Sequence, residues 1–214
     1  MLKAFIFDMD GVIIDSEPLH FLSDKMVMKD FGIEVSDEEL NAFVGVTNPL
    51  MWQELRIKYD LAASVEELLL IQHKYKTELF SAGELNSING IPELLKELKE
   101  REIKVGLASS SSRQFIELVL KKLDLFHYFD VVISGEEVLN SKPAPDIFLE
   151  AAAALEVNPL DCVVLEDSGH GVTAAKAAGM KCIAFRNPNS GNQKLDAADC
   201  IVCTLEKLDF LNIN

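Results

Sequence analysis

The stretch that most constrains this chain is an apolar segment near its start that ends directly in two acidic residues. Residues 3–7 are rich in Ile and Phe and predict a buried strand, and Asp8, Asp10 and Gly11 follow at once. Neighbouring carboxylates at the end of a buried strand repel each other unless a cation lies between them. The stretch therefore predicts either a Mg²⁺ site built from carboxylate and carbonyl oxygens or a solvated turn closed by the glycine.

Composition limits the classes of partner. The chain has 214 residues, 49% of them hydrophobic, with 35 acidic against 20 basic residues and a formal net charge of -15. This acidity argues against nucleic acid and anionic membranes as partners. No segment approaches the ~20 consecutive apolar residues that span a bilayer, and no signal peptide is apparent. We expect a reduced, cytoplasmic protein that is a monomer or a weak dimer.

The four cysteines fit that expectation. Cys162 and Cys182 lie in apolar, strand-like segments and are expected to be buried. Cys200 and Cys203 have the spacing of a metal or redox pair, but a zinc site needs further ligands that the sequence does not place nearby.

The second half of the chain alternates between strand and helix patterns. Predicted strands at 103–108, 131–134, 162–165 and 181–185 are separated by helices that are expected at 92–101, 111–123, 144–155 and 171–178. Such alternation predicts a mostly parallel sheet covered by helices on both faces. The fold class is therefore α/β, a three-layer Rossmann-like core that the strand at 3–7 must join.

The segment between the first and second predicted strands has only helical patterns. Helices are expected at 18–31, from 36 onward, at 50–59 and at 64–80, with a loop at 43–49. We therefore predict a discontinuous core domain, 1–15 and 84–214, that is interrupted by a helical bundle at 16–83.

Polar residues stand where the predicted strands end, which is the edge where parallel sheets bind ligands. Ser109 follows one strand, Glu166 and Asp167 follow another, and Lys142 precedes a helix. With the two aspartates, these side chains fit phosphoryl transfer: a carboxylate nucleophile, acids for Mg²⁺, and a hydroxyl and a lysine for the phosphate. Taken singly, the serine can cap a helix and the charged residues can lie in solvated loops.

Four segments also carry a resemblance to a known family. Asp8-Met9-Asp10-Gly11, Ser109, Lys142-Pro143-Ala144-Pro145-Asp146 and Glu166-Asp167-Ser168 resemble, in order, the four motifs of the haloacid dehalogenase superfamily. The residues from 8 to 20 resemble more narrowly the branch that holds β-phosphoglucomutase and small sugar-phosphate phosphatases. The helical insert resembles the small cap of that superfamily.

The resemblance implies a role for each matching residue. Asp8 would be the nucleophile that becomes an aspartyl phosphate. Asp10 would be the general acid and base, and its backbone carbonyl would bind Mg²⁺. Ser109 and Lys142 would hold the transferring phosphate. Glu166 and Asp167 would complete the metal site with Asp8 and Asp10.

Two activities share these motifs, a phosphatase acting on a small phosphorylated metabolite, such as a sugar phosphate, and a β-phosphoglucomutase-like phosphoryl transfer. In the mutase a cap loop presents Lys and Arg to the second phosphate, whereas this chain has Val44 and Asn48 there, which favours the phosphatase. Arg113 can still meet a distal anionic group. Further substrate-binding candidates are Ser110, His20, Asn48 and Lys76.

Two other classes fit less well. Dehalogenases of the superfamily use one aspartate and no essential metal, whereas this chain has Asp10 and the Glu166–Asp167 pair. A non-catalytic binding protein would not need every catalytic piece, and all of them are present.

Overall fold

The computed structural model describes residues 2–43, 46 and 48–211. The chain forms two compact units, one made of Met1–Asp15 and Leu85–Asn214 and the other of Ser16–Glu84. The second unit ends one residue after the predicted helical insert. None of the helices in the described part of the chain combines the length and the hydropathy of a transmembrane segment.

The first unit is built on a six-stranded sheet in the order β3-β2-β1-β4-β5-β6. The strands are β1 (Ala4–Phe7), β2 (Lys104–Ser109), β3 (Val131–Ser134), β4 (Cys162–Glu166), β5 (Lys181–Phe185) and β6 (Cys200–Val202). Every neighbouring pair is parallel. The predicted α/β class with a parallel sheet is confirmed, and the strand near the start of the chain is central in it.

Helices cover both faces of this sheet. They are α5 (Ile91–Glu100), α6 (Arg113–Lys122), α7 (Asp146–Ala154) and α8 (Gly169–Ala177). Successive strand residues point to opposite faces, so Ile6 packs in a cluster with α7 and α8, while Phe5 and Phe7 contact the rings of Phe210 and Phe129 on the other face. All four residues of β1 are buried, which explains its unbroken apolar sequence.

The second unit contains α1 (Glu17–Asp30), α2 (Asp37–Asn41), α3 (Asn48–Lys58) and α4 (Val65–Ala82). Its core gathers around Trp52, Leu55 and Leu68. A capping box of Ser64 and Glu67 begins α4, because each side chain accepts a hydrogen bond from the other residue's backbone N–H.

Several helices begin at other residues than the sequence predicts. Asn48 and Pro49 were expected in a loop but begin α3, since proline suits the first turn of a helix; Val44, Gly45 and Thr47 lie outside the described residues. The helix predicted from 111 begins at Arg113, because Ser112 caps it through a hydrogen bond from the N–H of Phe115.

The cysteines are all free thiols. Cys162 and Cys182 are buried as predicted, whereas Cys203 is exposed and Cys200 is half-buried at the start of β6. Burial raises the pKa of Cys162 to about 11, so this thiol stays protonated at neutral pH.

Removing buried apolar volume next to β1 tests the packing of the sheet. Leu107 on β2 is fully buried, whereas Leu160 is 76% exposed in the same unit. We expect Leu107→Ala to lower the free energy of unfolding by about 2–5 kcal/mol, and the matched control Leu160→Ala to change it by less than about 0.5 kcal/mol. Urea unfolding followed by circular dichroism measures both, and equal losses would contradict this packing.

Candidate active site

The candidate site lies at the carboxyl edge of the three central strands. β1 lies between β2 and β4, and Phe7 is in register with Leu107 and Leu165 on its two neighbours. Asp8 therefore begins the loop next to Ser109, the last residue of β2. On the other side, Glu166 is the last residue of β4. Motifs about 100 and 160 residues apart meet here because their strands are adjacent and parallel.

Lys142 joins the two acidic loops. Its Nζ donates hydrogen bonds to Oδ1 of Asp8 at 2.6 Å, to Oε1 of Glu166 at 2.8 Å and to the carbonyl of Ala108 at 3.2 Å. The side chain is only 7% exposed, and Nζ lies 4.9 Å from the ring centroid of Phe148. The alternative of a solvated loop lysine is therefore wrong, and Lys142 holds Asp8 and Glu166 together.

Glu166 is fixed from its other side by its own turn. Oε2 accepts hydrogen bonds from the N–H groups of Asp167 and Ser168, both at 2.8 Å, and from the Ser168 hydroxyl at 2.9 Å. The carboxylate also fills the space beside Gly171, where any Cβ would overlap it. With Oε1 bound to Lys142, both oxygens of Glu166 have protein partners, so Glu166 anchors the lysine and is not a solvated turn residue.

Three carboxylates form a group that can hold a cation. Asp8, Glu166 and Asp167 are all buried, and each offers an oxygen within 4.8 Å of the others. Hard carboxylate oxygens in this arrangement fit Mg²⁺ or a similar divalent cation. The side chain of Asp10 is not in this group; its Oδ2 accepts a hydrogen bond from the Ser111 hydroxyl at 2.8 Å. A metal contact through the backbone carbonyl of Asp10 stays a prediction.

Charge at this edge is not balanced by the lysine alone. Burial, together with the charges of Glu166 and Asp10, raises the pKa of Asp8 to about 8, because Lys142 offsets these effects only in part. The pKa of Asp167 is also raised, mainly by burial and in addition by the negative charges of Glu166 and Asp8. Burial alone would lower the pKa of Lys142, but the two neighbouring carboxylates outweigh burial and raise it. The donor set therefore suits an additional positive charge beside Asp8 and Asp167.

The serines after β2 have separate environments. Ser109 is buried, and its Oγ accepts a hydrogen bond from the N–H of Ser111 at 3.1 Å, while Ser110 is exposed. Ser111, whose hydroxyl meets Asp10, was not singled out by sequence reasoning. The only feature of the sequence that pointed to Ser111 was its place in the run of serines after β2. Its contact with Asp10 depends on how β1 and β2 pair, which the serine run does not reveal.

Arg113 is already occupied by an acidic partner. Its guanidinium donates to both carboxylate oxygens of Glu137, at 2.8 and 2.9 Å, and its backbone N–H donates to Glu136 at 3.1 Å. A distal anionic group of a substrate would have to displace Glu137 from this bidentate pair.

The other predicted substrate residues, His20, Asn48 and Lys76, belong to the second unit. His20 and Lys76 both interact electrostatically with the buried carboxyl of Asp24, which also accepts a hydrogen bond from the side-chain amide of Gln72 at 2.6 Å. Burial raises the pKa of Asp24, and these neighbours oppose the shift. Asn48 is exposed at the start of α3.

Comparison with known proteins agrees with this architecture. The family model for the haloacid dehalogenase-like hydrolases matches residues 5–185. The chain belongs to the haloacid dehalogenase-like hydrolase family.

Relatives within this hydrolase family include both activities considered above. The chain is 36% identical to the phosphorylated carbohydrates phosphatase of Thermotoga maritima over 219 residues, 99% of this chain and 98% of that protein. It is 34% identical to the β-phosphoglucomutase of Bacillus subtilis, over 94% of this chain and 89% of that protein. The crystal structure of CbbY from Rhodobacter sphaeroides in complex with phosphate is similar with a TM-score of 0.85 and 25% identity, over 98% and 97% of the two chains. The predicted enzyme class, a phosphatase of this family, is confirmed.

The close packing of the Glu166 carboxylate against Gly171 gives a test of the site in this hydrolase. We expect Gly171→Ala to displace the Glu166 carboxylate, free Lys142 from its anchor, and lower the rate of p-nitrophenyl phosphate hydrolysis by about 100-fold, the scale of a 1 Å misplacement. Thr173→Ala, on the exposed side of the same helix, is the control and should keep the rate. An unchanged rate in a folded Gly171→Ala protein would contradict the anchoring role of Glu166.

Proposed function

We propose that the protein is a Mg²⁺-dependent phosphatase that hydrolyses a small phosphorylated metabolite, a sugar phosphate, through an aspartyl phosphate on Asp8. The observation that carries this proposal is the Lys142 ammonium group held between Asp8 and Glu166 at the carboxyl edge of a parallel sheet. Lysine and buried acids in one place can hold a phosphate only if a further cation offsets the acids. The family assignment and the similarity to a phosphorylated carbohydrates phosphatase support the same chemistry.

The residues that would hold the cation are Asp8 and Asp167, with the Glu166 carboxylate beside them. We propose that the backbone carbonyl of Asp10 is a further ligand. When bound there, Mg²⁺ would neutralise the phosphoryl oxygens and keep the acids ionised. The positive charge of the cation would lower the raised pKa of Asp8. The mechanism needs this effect because a nucleophilic carboxylate must be ionised at neutral pH.

The first proposed step transfers the phosphoryl group to Asp8. One carboxylate oxygen of Asp8 attacks phosphorus while the bond between phosphorus and the sugar oxygen breaks, and the leaving oxygen takes a proton from Asp10. Ser109 and Lys142 would bind the phosphoryl oxygens and stabilise the negative charge that is spread over them in the transition state. The hydrogen bond from Ser111 would orient the Asp10 carboxyl for proton donation.

The second proposed step returns Asp8 to its starting state. Water attacks the phosphorus of the aspartyl phosphate, Asp10 accepts the proton from that water, and the bond from phosphorus to the Asp8 oxygen breaks. Inorganic phosphate leaves, and both carboxyl groups regain their initial protonation. The same residue thus serves as acid in the first step and base in the second.

A mutase is the second candidate, supported by the similarity to the β-phosphoglucomutase of Bacillus subtilis. A mutase must hold a second phosphate, and a desolvated phosphate needs a cationic partner. Asn48 carries no charge, and Arg113 is paired with Glu137. These two observations favour the phosphatase.

We propose that His20, Asn48, Lys76 and Ser110 are the residues that bind the sugar part of the substrate. The free cysteines and acidic composition support a cytoplasmic location.

Metal removal tests the proposed cofactor. Exhaustive treatment with EDTA should abolish hydrolysis of p-nitrophenyl phosphate, because the acidic cluster would then repel the phosphate. Mg²⁺ should restore the rate, whereas Ca²⁺, which is larger and more loosely coordinated, should inhibit. Full activity after chelation would refute the metal assignment.

Product analysis separates the phosphatase from the mutase. With β-glucose 1-phosphate and a trace of glucose 1,6-bisphosphate, we expect ³¹P NMR to show release of inorganic phosphate, because water rather than a sugar hydroxyl attacks the aspartyl phosphate. Added bisphosphate should give little increase in rate. Accumulation of glucose 6-phosphate faster than free phosphate would instead establish the mutase.

A further inference from the structure

The loop that follows β5, residues 187–190, contacts the two loops that carry the candidate metal ligands. The side-chain amide of Asn187 donates to the carbonyl of Gly11 at 3.0 Å. The amide of Asn189 donates to the carboxylate of Asp15. The hydroxyl of Ser190 donates to Oδ2 of Asp167. None of the four motifs in the sequence includes this loop.

Ser190 and Gly11 confine the Asp167 carboxylate. A Cβ on Gly11 would overlap the Asp167 carboxylate and lie 3.0 Å from Oγ of Ser190, and Gly11 has a positive φ of 79° that also favours glycine. Asp167 is buried, with 6% exposure. One of its two oxygens thus has a fixed protein donor, and its rotation is restricted on the side of the nucleophile loop.

The loop itself is held in place by its own side chains and by α8. Oδ1 of Asn187 accepts from the N–H of Asn189 at 2.9 Å. Gln193 donates to the carbonyl of Ser190 at 2.9 Å and accepts from the N–H of Gly169, the first residue of α8, at 3.1 Å. Because Gly169 follows Asp167 by two residues, the same hydrogen-bonded network ties the Ser190 hydroxyl to the backbone that carries its partner.

We infer that Ser190 is a positioning residue that holds Oδ2 of Asp167 and so directs the other oxygen, Oδ1, toward the divalent cation. Ligating carboxylates are in turn commonly hydrogen-bonded by neighbouring donors, and loss of such a donor costs about 10–100-fold in metal affinity. The inference rests on the proposed metal-dependent function. It adds a residue, far from the four motifs in sequence, that sets the affinity for the metal without touching substrate.

Metal affinity tests this inference directly. Binding of Mn²⁺, read from the EPR signal of the free ion and competed with Mg²⁺, is measured for the unchanged protein and for Ser190→Ala, Ser190→Val and Ser190→Thr. Valine and threonine have the same shape and differ in the hydroxyl alone. We expect the Ala and Val variants to bind Mn²⁺ about 10–100-fold more weakly and the Thr variant to bind close to normally.

Turnover gives the second readout. The Ala and Val variants should need correspondingly more Mg²⁺ for half-maximal rate, while the rate at saturating Mg²⁺ stays close to that of the unchanged protein. Asn189→Ala, which removes the contact of the same loop to Asp15, is the control and should leave the Mn²⁺ affinity unchanged.

The outcomes separate this inference from the proposed function. If the unchanged protein binds neither Mn²⁺ nor Mg²⁺, the metal-dependent function itself falls. If the unchanged protein binds the metal and the Val variant binds it equally well, the inference alone is overturned. Equal weakening in Thr and Val would likewise overturn it, because the hydroxyl would then not be the cause.

Discussion

The interaction on which the site depends is the burial of several carboxylates around one lysine. Lys142 binds Asp8 and Glu166 at 2.6 and 2.8 Å in a position with almost no solvent. Removing one member of such a group would leave an uncompensated buried charge, which costs about 3–5 kcal/mol. The fold accommodates these buried charges because strands β2, β1 and β4 end at one edge of the sheet. There the loops that follow the strands bring the acidic side chains close to Lys142, which lies in the turn before α7.

The same crowding makes the site suitable for phosphate chemistry. Burial raises the pKa values of Asp8 and Asp167, and repulsion between the neighbouring acids, which the lone lysine only partly offsets, raises them further. In the proposed function, a cation and a phosphate that bind together would satisfy both the acids and the lysine. The electrostatic cost of burying these charges would then favour binding of the metal and of the substrate phosphate.

Most of the core fold was predictable from sequence, because buried parallel strands appear as continuous apolar segments. The strands at 131–134 and 181–185 were predicted with their observed bounds. The hydrogen-bond partners of polar side chains were harder to predict from the sequence. Ser190 meets Asp167 and Arg113 meets Glu137 only because of tertiary packing, which leaves no periodic signal in the chain. The catalytic and metal-binding roles given to the motif residues rest on resemblance and stay predictions that geometry supports.

The claim that Asp8 carries the phosphoryl group can be measured most directly in an Asp10→Asn protein. With p-nitrophenyl phosphate the leaving group needs no acid, so the first step should proceed while the second, which needs a base, stalls. We expect a stoichiometric burst of p-nitrophenol, and borohydride reduction should convert Asp8 to homoserine, read by mass spectrometry. Asp124→Asn, a change at a fully exposed position, is the control and should show steady turnover without trapping. Trapping at another residue, or turnover by Asp8→Asn at the normal rate, would contradict the covalent mechanism.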